Sequence, residues 1–156
     1  MPNVIEDLCR LSGSYAGDGI EHTGNGFKGE LTIAPIVQRR GVLLLFTAKN
    51  LKGQILQEEH TLVAPMMGTG QIGMWTLGSN IGGVLFHLLR RDERLHDGSR
   101  ALTFGAGDPT DSSSFREEIT LEICVSDQIG YRYAWGHPGG DFAPRSSLRM
   151  ARLASS

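Results

Sequence analysis

The residues whose types could do chemistry sit where polar side chains interrupt apolar alternation. In Gln54 to Ala64, one face carries Leu56, Glu58, His60 and Leu62, and the other carries Ile55, Gln57, Glu59, Thr61 and Val63. Whichever face turns inward brings a carboxylate with it. An ionised carboxylate is costly to bury alone, so it must be paired or line a wet cavity. The face taken as inward is that of Glu58 and His60. Two residues apart on one wall, they would make an acid–base pair or a ligand anchor. The competing reading leaves both on the solvent face or in a satisfied structural pair.

Glu117 shares a face with Phe115, Ile119 and Leu121, and is read either as an interior group or as a rim charge. His87 alternates with Leu85 and Leu89, which makes it a core histidine or a ligand contact. Trp75, Tyr131, Tyr133 and Trp135 form an aromatic set. Such rings pack a core or line a pocket while their polar tips orient a ligand. On the last apolar segment Arg145 and Arg149 share a face, and an inward Arg149 would grip a carboxylate with its planar fork. The expected ligand-binding residues are therefore Glu58, His60, Trp75, His87, Glu117, Tyr131, Tyr133, Trp135 and Arg149, with Glu58 and His60 the catalytic candidates. The loop His137-Pro138-Gly139-Gly140-Asp141 is a lesser candidate, since loops on rigid scaffolds often carry function.

Other signatures are missing. No Walker loop and no strand–Gly-x-Gly-x-x-Gly–helix unit occurs, there is no nucleophile elbow, and no Cys/His group has metal spacing, so no metal site is expected. The net charge of −2 gives no basic face for nucleic acid. Met1 to Leu11 carries Glu6 and Asp7 and no apolar signal core, and no apolar run is long enough for a membrane span. A cytoplasmic protein is expected, with Cys9 and Cys124 as reduced thiols.

The elements that must position these residues are mostly strands. With 156 residues the chain fits one domain, spanning residues 1–156, able to bury a core without disulfide or metal support. Its 21 glycines are spread throughout and, with Asp and Asn, punctuate short apolar segments as tight turns do. Val4 to Leu11 reads as one short helix, with Val4, Ile5, Leu8 and Leu11 on one face and Asn3 as its cap. Thereafter strands are expected at 13–22, 27–37, 42–49, 54–64, 71–77, 82–91, 100–105, 115–125, 128–135 and 145–153. The connections are too short for parallel crossovers. About ten antiparallel strands of this size are expected to close into an up-and-down all-β barrel, which removes the sheet edges; a two-sheet sandwich is the rival.

The opening Gly13-Ser14-Tyr15-Ala16-Gly17-Asp18-Gly19, after a short helix and before a run of strands, resembles the calycin superfamily of lipocalins, fatty-acid-binding proteins and nitrobindin-like barrels. Where lipocalins usually have Trp this chain has Tyr15, and the Gly-x-aromatic-x-Gly-x-Gly form is closer to the nitrobindin-like proteins. The resemblance implies a lipocalin-like barrel with a hollow interior. It also implies haem held by a histidine on the closing strand, but Arg145 to Leu153 contains none, so haem is not expected. The leading expectation is a barrel that binds a small hydrophobic or amphipathic molecule. The alternatives are an isomerase, cyclase or hydrolase using a Glu–His pair, and a filled barrel serving as a subunit surface. A homodimer is compatible with each.

Overall fold

The computed structural model describes residues 3–154. Met1 and Pro2, part of the stretch read as lacking a signal core, lie outside the described residues, as do Ser155 and Ser156. The helix α1 spans Val4–Arg10. Asn3 caps it as expected: its side-chain oxygen accepts from the backbone N–H groups of Ile5 (3.1 Å) and Glu6 (3.2 Å). Glu6 and Asp7 in the first turn and Arg10 in the last complement the helix dipole. Seven residues cannot hold a helix alone. α1 is kept by burying Val4, Ile5, Leu8 and Cys9 against the barrel.

Ten strands follow: β1 (Gly13–Glu21), β2 (Gly26–Ile36), β3 (Gly41–Lys49), β4 (Ile55–Pro65), β5 (Ile72–Gly78), β6 (Val84–Arg94), β7 (Arg100–Ala106), β8 (Arg116–Ile123), β9 (Gln128–Gly136) and β10 (Ala143–Arg152). Each pairs antiparallel with the next, and β1 pairs with β10, closing the barrel. The expected closed up-and-down barrel is the observed architecture, and the sandwich is excluded. The closing seam depends on Gly17, where a Cβ would fall 2.0 Å from the Arg149 carbonyl oxygen. Strand limits differ from expectation where turns intervene. β8 stops at Ile123 because Cys124 N–H bonds the Gln128 carbonyl (3.0 Å) around Asp127, whose φ is 58°. β6 runs on to Arg94 past a register shift between Leu89 and Arg91.

The interior divides along the barrel axis. At the α1 end it is filled by Tyr15, Leu31, Ile33, Leu44, Leu102, Leu121, Ile129 and Met150, nearly all without solvent contact. Each such side chain contributes on the order of 1.5–3 kcal/mol of burial free energy. The Tyr15 hydroxyl donates to the Leu11 carbonyl (2.7 Å) and ties the helix exit to β1. Arg100 forks onto both carboxylate oxygens of Asp92 (2.8 and 2.7 Å) and also bonds Asp7 of α1, which latches the helix to β6 and β7. Cys9 and Cys124 are both free thiols.

Candidate functional site

The opposite end of the barrel is open. Its lining comes from the inward positions of β2, β3, β4, β8, β9 and β10 nearest that end, together with the loops that rim it. One lobe, about 320 Å³, has walls of Phe27, Phe46, Ala48 and Leu148 and reaches Gln57, Tyr133, Trp135 and Ser146. A second lobe, about 510 Å³, shares Gln57, Asn80, Tyr133, Trp135 and Ser146 and adds Glu59, Phe115 and Glu117. The shared residues make them two parts of one mouth. Gly19 keeps the first lobe's wall in place: a Cβ there would fall 2.5 Å from Phe27 Cζ and 2.7 Å from Leu148 Cβ.

A polar floor lies beneath the apolar walls. Tyr133 donates its hydroxyl to Glu59 Oε2 at 2.5 Å, and Gln57 donates to Glu59 Oε1. Burial pushes the Glu59 carboxyl above its ordinary range; the bonds from Tyr133 and Gln57 only partly oppose it, and the charge of nearby Glu117 adds to it. The same burial drives the hydroxyls of Tyr131 and Tyr133 up, so both are neutral donors or acceptors near neutral pH. His87, fully buried, bonds Glu117 Oε1 through Nε2 at 2.8 Å. Deeper still, Thr61 and Thr76 pair through their hydroxyls (3.0 Å). The buried His87 Nδ1 has no hydrogen-bond partner.

Aromatic rings surround the rim. Tyr131 lies between Phe46 (stacked, 5.1 Å) and Tyr133 (5.1 Å). Trp135 meets His22 edge-on at 5.8 Å and His137 at 4.8 Å, and His137 also approaches Phe115. The guanidinium of Arg145 lies 4.4 Å from the Trp135 ring centre. Arg145 reaches the mouth because β10 shifts register between Pro144 and Ser146.

Several expected site residues are brought together here: His87, Glu117, Tyr131, Tyr133 and Trp135 all face the interior. Others are corrected. Glu58 and His60 point out to solvent, with side chains 54% and 60% exposed and 3.9 Å apart, so they do not line the barrel. Trp75 packs on the outer surface against Phe86 at 5.1 Å. Arg149 is exposed and pairs with Glu122 across the outer face (3.2 Å). The sequence reading missed Gln57 and Glu59 by choosing the wrong face of β4. A usable signal was present: the face with Glu58 and His60 asks the interior to take two ionisable groups, whereas that with Glu59 asks it to take one, flanked by Gln57 and Thr61 as hydrogen-bonding neighbours. Phe46, Ser146 and Leu148 carried no local mark.

The residues do not fit the haem attachment that the nitrobindin resemblance implies. The inward positions of β10 are Ser146, Leu148 and Met150; none is an imidazole, and Met150 is sealed in the packed half. Among the described residues no cluster of three or more His, Cys, Asp or Glu is arranged to hold a metal ion.

No family model matches the chain, and no curated protein matches it. Among solved structures it is similar to Rv2717c from M. tuberculosis, with 15% identity, 99% of each chain covered and a TM-score of 0.76. It also aligns with a de novo designed fluorescence-activating β-barrel, with 14% identity, over 94% of this chain and 98% of that one, at a TM-score of 0.48. At such identities the likeness to Rv2717c shows the shared fold and nothing finer. No described helix is long and apolar enough to cross a membrane.

Proposed function

We propose that this protein is a calycin-like binding barrel that holds a small amphipathic molecule in its open half. The observation that carries this reading is the division of the interior. One half is packed solid, while the other keeps a mouth with apolar walls and a polar floor built from Gln57, Glu59, Tyr133, Glu117 and His87. Ligand sites are typically concave, mostly apolar and fitted with a few convergent polar groups. A barrel whose purpose was only to present its outside would have no use for buried carboxyl groups, which cost folding free energy. The enzyme reading built on Glu58 and His60 loses its basis, because neither reaches the cavity. The reading assigns no haem, since β10 supplies no ligand to the cavity.

A thermal-shift screen of small amphipathic molecules, with haemin as one member, tests this. The expected result is stabilisation by a subset of organic ligands and none by haemin. Ser146→Trp, which fills the junction of the two lobes, is expected to abolish the shifts while leaving the unliganded melting point close to wild type. No shift by any compound would count against the reading. So would shifts that survive Ser146→Trp, and a Soret band from ligated iron would overturn the exclusion of haem.

A further inference from the structure

The floor of the mouth is rich in acceptors and short of donors. Both oxygens of Glu59 are met, one by Tyr133 and one by Gln57, which uses the floor's own donors. Glu117 receives a single bond, from His87, and lines the cavity with its remaining lone pairs unmatched. The Tyr131 hydroxyl is fully buried beside Tyr133, beneath the lining of this lobe and in the field of both carboxyl groups. No lysine or arginine among the described residues bonds either Glu59 or Glu117. Arg145 lines the adjoining lobe rather than this one, where it bonds the Trp135 carbonyl (3.1 Å) and the Asp141 carbonyl (2.8 Å). Aromatic side chains, Phe115, Tyr133 and Trp135, line the same lobe as the two carboxyl groups.

We infer that the cavity takes a small organic cation, a protonated amine on an apolar body, with its ammonium lodged between Glu59 and Glu117. This rests on the binding-barrel reading and narrows its ligand class. An ammonium brings donors to a floor that lacks them and places its charge against carboxylates and ring faces, both of which attract it. A carboxylate ligand in this lobe would instead meet two carboxyl groups, since Arg145 lines only the adjoining lobe. Burial raises the Glu59 carboxyl in the empty site, and an adjacent cation offsets that, so binding and ionisation of Glu59 are coupled.

The test uses three ligands that share one phenyl body: 2-phenylethylamine, 2-phenylethanol and 3-phenylpropionate. Each is titrated by calorimetry at neutral pH into wild type, Glu117→Gln and Glu59→Gln. Gln at 117 still accepts from His87; Gln at 59 still accepts from Tyr133 but meets Gln57 with an amide N–H, which Gln57 accommodates by turning its own amide oxygen toward it, and thermal melts check that both variants fold. The amine is expected to bind wild type about tenfold or more tighter than the alcohol, and the acid not at all. Glu117→Gln is expected to cut amine affinity by about tenfold and alcohol affinity by less than about twofold. Glu59→Gln is expected to cut amine affinity by a similar factor. Equal affinity for amine and alcohol overturns the cation assignment but leaves the binding barrel standing. Tighter binding of the acid, or no binding by any of the three at millimolar concentration, also overturns it, and the screen with Ser146→Trp then judges the wider reading separately.

Discussion

Glu59 shows how one residue can trade stability for a site. Its carboxyl is held above its ordinary pKa of 4.5, first by burial and then by the charge of Glu117. A raised carboxyl pKa means that the folded state binds the proton more tightly than the unfolded one. Its contribution to stability is therefore full below about 4.5 and is lost as pH rises through the folded value. Glu59→Gln removes the titration and keeps an acceptor for Tyr133. In urea denaturation the variant is expected to gain on wild type as pH is raised from about 4 to about 8, with little difference at the acidic end. A variant that is uniformly weaker across that range would show that Glu59 is a structural acceptor rather than a strained one. In the sequence Glu58, Glu59 and His60 are alike in polarity, and only the count of ionisable groups on each face separates them.

At the scale of elements, strands and turns were legible and strand parity was not. The clean alternation of 115–125 placed Glu117 and Ile119 on one face, and the structure puts that face inside. The 54–64 segment has a mixed pattern on both faces, and its local signal is slight: two ionisable groups on one face against one on the other. The decision comes from neighbours: in register, Glu59 and Thr61 lie beside Phe46 and Leu44 of β3, which are core residues. The turn between β2 and β3 makes a separate prediction. Val37, Gln38 and Arg39 all have positive φ (48°, 54° and 65°), which is unfavourable for residues with a Cβ and most of all for branched Val37. Val37 is 70% exposed, so its side chain gives little burial in return. Val37→Gly is expected to stabilise the protein by about 1 kcal/mol, seen as a higher denaturation midpoint with an unchanged slope, because relief of the left-handed strain outweighs the entropy cost of glycine. A lower midpoint would mean that the turn is not strained.

For the whole molecule, the helix end and the mouth respond oppositely to pH. At the helix end, Arg100 holds the Asp92 carboxyl below its ordinary value of 3.8, chiefly through their paired hydrogen bonds. A lowered carboxyl pKa contributes stability above the unfolded value, and that contribution is lost as pH falls through the folded one. Because Arg100 also bonds Asp7, acid is expected to loosen α1 together with the β6–β7 end of the barrel. Asp92→Asn is therefore expected to destabilise the protein at neutral pH, with the difference from wild type closing as pH falls below 3.8 and through the lowered folded value in an acid-unfolding titration by circular dichroism. A constant difference at all pH values would place the effect in packing instead.

The chain by itself pointed to about ten short antiparallel strands, one capped helix and a sheet closed into a barrel with a sandwich as the rival, because alternation and turn residues act over a few neighbours and short connections make sequential strands antiparallel; the structure decided for the barrel. It also placed Tyr131, Tyr133 and Trp135 on one face, which the structure turns inward. Only the tertiary structure decided which face of β4 lies inside and that Trp75 and Arg149 lie outside. It alone decided that Glu59 meets Tyr133, 74 residues away, and that His87 meets Glu117, 30 residues away. The reason is physical: the period of a strand fixes which residues travel together, but the side they turn to is set by the summed burial of the whole closed sheet.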